Sequence, residues 1–184
     1  MYNLGLTERV RLDDVVRGLD GLQVLGIAQP FLELLPMDVE PKRLDITYYH
    51  LKDISLEVNF EDLKQILAVL CLCRSSPHLK TINIEAVWDK ESTFLCDEDI
   101  WIARLNKEED IFNHLETVSL SGFKGTKNDL GFSQFILLNA RDLMTFYIDW
   151  EESALMPEKL AVVEMMMQFH RASTIAEVIF KSKV

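Results

Sequence analysis

The chain has 184 residues, with 19 lysines and arginines against 30 aspartates and glutamates, for a formal charge of −11. That length suits one domain with a proper core, and an apolar share of 48% is too high for a disordered chain. The acidic balance argues against a nucleic-acid partner, which needs clustered cations to displace phosphate counterions. It also argues against an anionic membrane surface and favours solubility and basic partners.

In chain order, Leu12, Val15, Val16 and Leu19 make a short amphipathic turn, with Glu8, Arg9, Arg11, Asp13 and Asp14 interrupting any signal-like stretch. A strand motif then appears for the first time, Leu22-Gln-Val-Leu25-Gly-Ile27, and again as Leu51-Lys-Asp-Ile54-Ser-Leu56. Behind the second copy Leu63, Ile66, Leu67 and Leu70 have helical spacing, with Asn59 expected as N-cap, Glu61 and Asp62 in the first turn and Ser76-Pro77 as the stop. The longest uncharged apolar run, Ile66 to Cys73, lies here and is far short of the ~20 residues of a membrane helix. Three cysteines, Cys71, Cys73 and Cys96, fit a reduced compartment, cytoplasmic or nuclear, and Cys71 and Cys73 read as small core hydrophobes.

The third copy is Leu79-Lys-Thr-Ile82-Asn-Ile84. An insertion at about 86–110 follows, expected as a partly helical return carrying Trp101, Ile102, Leu105 and Phe112. The fourth copy is Leu115-Glu-Thr-Val118-Ser-Leu120, followed by Phe132, Phe135, Ile136 and Asn139 at helical spacing with Asn128 as the expected cap. The fifth is Leu143-Met-Thr-Phe146-Tyr-Ile148, followed by Pro157 at a first helical position and an apolar stripe of Leu160, Val163, Met166 and Met167. Thr174 to Phe180 reads as a last, edge strand that Lys181 and Lys183 would blunt.

The leading leucines are spaced by 29, 28, 36 and 28 residues, the long end of the leucine-rich-repeat range with one insertion. The expected fold is α/β, a leucine-rich-repeat solenoid with a parallel sheet of five to six strands on one face and helices on the other. Strand alternation turns three positions of each copy outward. The expected partner-binding face carries Asp53, Ser55, Glu57, Thr81, Asn83, Glu85, Thr117, Ser119, Thr145, Tyr147 and Asp149. Its acidic row (Glu57, Glu85, Asp149) would select a basic segment of an unknown target protein, whereas serine and threonine on such a face are also ordinary solvated strand residues.

Catalytic chemistry finds no support in the pattern. His50, His78 and His114 each precede a leading leucine, a structural turn placement, and neither they nor His170 pair with a nucleophile. Gly122-Phe-Lys-Gly125-Thr-Lys lacks phosphate-loop spacing. The clusters Asp97-Glu98-Asp99, Glu108-Glu109-Asp110 and Glu151-Glu152 lack the ligand alternation and glycine of a calcium loop. Met165-Met-Met167 reads as core packing on the last helix. The expectation is a non-enzyme with no cofactor and no metal.

Leu115-Glu-Thr-Val-Ser-Leu120-Ser-Gly-Phe-Lys-Gly125-Thr126, with Phe132, Phe135, Leu137-Leu-Asn-Ala140 and Leu143, resembles the plant FBD domain, the C-terminal part of plant F-box/leucine-rich-repeat proteins. Cys73-Arg-Ser-Ser-Pro-His-Leu79, Ile111-Phe-Asn-His-Leu115 and Ala172-Ser-Thr-Ile-Ala-Glu-Val-Ile-Phe-Lys181 resemble further parts of that family. The resemblance implies leucine-rich repeats over 1–110 and FBD-like repeats with a cap over 111–184. It also implies a module that presents targets to an SCF-type ubiquitin ligase. In that family an F-box docks on a Skp-type adaptor. Met1 to Gly18 is too short to hold one, so adaptor docking is expected only of a longer form. The alternative expectation is a stand-alone adaptor or decoy that recruits no ligase.

Overall fold

The computed structural model describes residues 21–33, 47–88, 111–152 and 156–181. Its elements are β1 (Val24–Ile27), α1 (Gln29–Glu33), β2 (Asp53–Val58), α2 (Leu63–Arg74), β3 (Thr81–Ala86), β4 (Thr117–Phe123), α3 (Lys127–Asn139), β5 (Thr145–Trp150), α4 (Met156–Met167) and β6 (Glu177–Lys181). The six strands form one sheet in sequence order, and every neighbouring pair is parallel.

The repeated motif sets the register. The leading leucines Leu51, Leu79, Leu115 and Leu143 are buried just before their strands. Beside Leu22, Leu51, Leu79 and Leu115, the carbonyl of the next residue accepts two amides from the following copy. Gln23 O takes Lys52 and Asp53, Lys52 O takes Lys80 and Thr81, Lys80 O takes Glu116 and Thr117, and Glu116 O takes Met144 and Thr145. Every strand therefore starts level with its neighbour. Ile54, Ile82, Val118 and Phe146 stand in one row, and Leu56, Ile84, Leu120 and Ile148 in the next. Both rows are buried in one core with α2, α3 and Met166 of α4. The helices thus cover the apolar face, as parallel strands require. Inside this layer Phe60 meets Phe132 edge-on at 5.5 Å, and Phe112 meets Phe135 at 5.9 Å.

The helices lie where the apolar spacing puts them, with corrected caps. Helix α2 is capped by Asp62, which accepts from Lys64 N, not by Asn59. Asn59 is buried ahead of the helix, its N–H donating to Gln65 Oε1 at 2.8 Å and its Oδ1 accepting from Glu61 N. Helix α3 is capped by Thr126 in a reciprocal capping box with Asp129, not by Asn128. Asn128 instead donates to Phe60 O at 2.6 Å, tying α3 to the α2 turn.

Helix α4 departs further from expectation. Its stripe does not face the core as a whole. Met166 is buried, but Leu160 is 62% exposed, Met165 49% and Met167 72%. Half-buried Val162, with Phe169 beyond the helix, packs on the core instead. The helix starts at Met156, one residue ahead of the expected position of Pro157. The last strand begins at Glu177 rather than Thr174, because Ala172 N bonds Leu137 O and Ser173 Oγ bonds Leu143 O, holding the chain in a turn first. The N-terminal amphipathic turn, most of the insertion and Lys183 lie outside the described residues.

Candidate functional site

The outward face is built by the same register. Its first row reads Val24, Asp53, Thr81, Thr117, Thr145 and Glu177 across the sheet, and its second Gly26, Ser55, Asn83, Ser119, Tyr147 and Ile179. The third row pairs Glu57 with Glu85, Glu85 with Ser121 and Asp149 with Lys181. All eleven expected residues therefore share one face, and each is half-buried or exposed while its strand neighbours are core.

One irregularity breaks the third row. Between Leu120 and Phe123 the β4–β5 register shifts. Gly122 makes the bulge possible: its φ is +71°, and a Cβ there would lie 2.6 Å from Ala86 O. Ser121, on the rim of the bulge, has its hydroxyl 3.3 Å from Ile84 O. Beside it Trp88 donates Nε1–H to Gly122 O at 2.8 Å.

The small residues shape the surface as much as the charged ones. Gly26, Ala28, Ser55, Ser119 and Ser121 stay low, so Asn83, Glu57 and Glu85 stand around an open groove of about 620 Å³. A second, smaller hollow is bounded by Glu85, Ser121, Asp149, Glu151 and Glu152. Gly26 and Ala28 fall in the outward rows of the repeat but not among the expected binding residues, because they carry no functional group; their signal is their place in the rows.

The polar contacts divide the face. Glu57 Oε2 accepts the Gln29 N–H at 3.2 Å, and Asn83 Nδ2 reaches Ser55 Oγ at 3.4 Å. Asp149 Oδ1 is shut off from water with no donor. At the far side Lys181 places its ammonium 4.1 Å from the centre of the Tyr147 ring. The face aromatic thus has a cation of the chain's own, from the sixth strand that the expected site did not include. Along the rim of the sheet Lys124 sits 4.1 Å over Trp88 and Lys159 5.6 Å over Trp150.

The remaining titratable groups are structural in their surroundings. His78 and His114 are exposed and in ring contact at 5.4 Å on the opposite edge of the sheet, where the strands begin. Burial pushes the Cys73 thiol up to about 12, so it stays protonated among apolar neighbours. Asp129 is fully buried, and its Oδ2 accepts the N–H groups of Lys124, Gly125 and Thr126 at 2.9 to 3.1 Å. Burial outweighs those donors and raises its carboxyl to about 6. Among the described residues no cluster of three or more histidine, cysteine or acidic side chains could hold a metal ion, and no helix is long and apolar enough to cross a membrane.

Comparison with known proteins bears on this arrangement. The FBD family model matches residues 111–148. An F-box/FBD/LRR-repeat protein of Arabidopsis thaliana is 30% identical over 160 residues, which cover 82% of this chain and 36% of the relative. The chain thus spans about a third of that relative's length. These family names denote interaction modules rather than enzymes. No solved structure matches.

Proposed function

The chain belongs to the plant F-box/FBD/LRR-repeat family, and on that premise we propose that it is a protein-binding module that holds a target on its outward sheet face. In this reading it is the target-recognition part of an SCF-type ubiquitin ligase. Residues 1–110 form the leucine-rich repeats of a solenoid, and 111–184 the FBD-like repeats and cap. It works in the cytoplasm or nucleus, and a Skp-type adaptor joins through an F-box in a longer form. One observation carries the reading: the parallel register, interrupted only at the β4 bulge among the described strands, gathers eleven polar side chains from four strands onto a face that the helices leave open. A stable sheet needs only solvation there, whereas a groove walled by acids and floored by small residues is shaped for a partner.

The test is affinity capture from plant tissue, comparing the chain with a triple variant, Ser55→Arg, Asn83→Arg and Ser119→Arg, that fills the groove. Proteins captured by the first and lost by the second are face-bound targets; identical capture by both would overturn the reading. The half-life of such a target then separates two roles. Shortening on expression of a longer, F-box-bearing form supports ligase recognition. Stabilisation, with no Skp-type adaptor retained, makes the chain a stand-alone adaptor or decoy.

A further inference from the structure

Glu57 and Glu85 are direct cross-strand partners in β2 and β3, on a chain already carrying a charge of −11. Like charges so placed destabilise a sheet, so fold stability gives no reason for the pair. Among the described residues neither is paired with a lysine or arginine, and Glu57 has only the Gln29 N–H. Further along the same side of the sheet stands a third acid, half-buried Asp149, beside Lys181 of β6. Lysines are near, yet Lys124 and Lys181 sit over the rings of Trp88 and Tyr147. Glu57 and Glu85 line the open groove with Gly26, Ala28, Ser55 and Ser119, and Glu85 and Ser121 are shared with the neighbouring hollow that Asp149 lines.

We propose that the groove and the hollow beside it together bind an extended, arginine-bearing segment of the target protein, with one guanidinium between Glu57 and Glu85 in the groove and a second basic side chain at Asp149 in the hollow. The proposal rests on the interaction reading above and supplies the partner's chemistry. Arginine is favoured over lysine at the first position because its planar fork can donate to two carboxylates at once, whereas an ammonium is a point charge. The carboxylates stand on strands about 4.8 Å apart, and Asp149 lies about two and a half strand spacings, roughly 12 Å, from their midpoint. A segment crossing the strands rises about 3.3 Å per residue and turns alternate side chains to the sheet. Residues four apart, about 13 Å, match that distance. The recognised pattern is therefore a basic residue four positions from an arginine.

The test uses the full chain and a fluorescein-labelled glycine–serine peptide carrying arginines four residues apart, read by anisotropy at low and moderate salt. Binding is expected to weaken about tenfold in the Glu57→Gln, Glu85→Gln double variant, with a thermal melt at or slightly above that of the wild type because the substitutions are isosteric and remove the cross-strand repulsion. Moving the arginines to adjacent positions is expected to weaken it several-fold. Equal affinity for the double variant, or for a peptide with both arginines replaced by glutamine, overturns the proposal. Target capture separates the two levels. If capture survives the double glutamine variant but not the groove-filling triple variant, the arginine proposal falls and the face reading stands. If capture survives both, the face reading falls as well.

Discussion

The β4–α3 unit and the β5–α4 unit begin alike and end differently. Leu115 and Leu143 are both fully buried, and their strands pair in register. Yet α3 buries Phe132, Phe135, Ile136 and Leu137, whereas α4 leaves Leu160, Met165 and Met167 in solvent. The difference is one of neighbours. Helix α3 lies between the α2 turn, through Phe60 and Asn128, and α4, where the Val162 side chain comes so near Gly125 that a Cβ there would be 2.7 Å from it. On its other side, α4 and the last strand line a groove formed by Val163, Met166, Met167, Val178 and Phe180. An apolar stripe marks which residues can be core; the number of neighbouring units decides which of them are.

Truncations should separate the two units. Phe135→Ala is expected to cost about 3–5 kcal/mol, the penalty for an emptied aromatic site in a closed core, measured by urea unfolding. A loss near that of an exposed residue would break the contrast. Next comes Asp129, behind the β4–α3 turn. Its folded value near 6 lies above that of an unfolded aspartate, so the folded chain holds the extra proton between about pH 4 and 6. Stability carried by this group is present at low pH and lost as pH rises through that window. Relative to Asp129→Asn, the wild type should therefore gain about 2 kcal/mol as pH falls from 7 to 4, seen as diverging urea midpoints. Parallel midpoints would refute the raised value.

Thr126→Ala removes half of the α3 capping box and should cost about 1 kcal/mol. Leu160→Ala, on the exposed side of α4, should change stability by less than about 0.5 kcal/mol. A loss as large as that at Phe135 would mean that α4 is covered in solution.

The sheet was legible because its signal repeats. Each copy places a leucine, a buried pair and outward residues at fixed offsets, so the three rows of the face follow from aligning the copies. Helix existence was legible for the same reason, but capping was not. Asn59 and Asp62 are both good capping residues, as are Thr126 and Asn128, and only the backbone position decides between them. The five-residue α1 is too short to show a helical period. The bulge at Gly122 depends on Ala86, thirty-odd residues away, and so left only a glycine inside a strand pattern as its trace. At the site the charged residues were legible, whereas the groove was not, because it comes from side chains that are small. The Lys181–Tyr147 contact needed the register of β6, whose leading position holds exposed Ile175 instead of a buried leucine.

The paired amides at the strand starts have a consequence for how such a chain can change. Each copy is measured from the carbonyl beside the leading leucine of the copy before it, not from the length of the return between them. The return between β3 and β4 is eight residues longer than its neighbours, yet Thr81 still stands beside Thr117. The chain works like a ruled page whose lines are fixed at the margin. The back can gain or lose residues by mutation while the writing surface keeps its alignment, so the two sides are free to diverge at different rates.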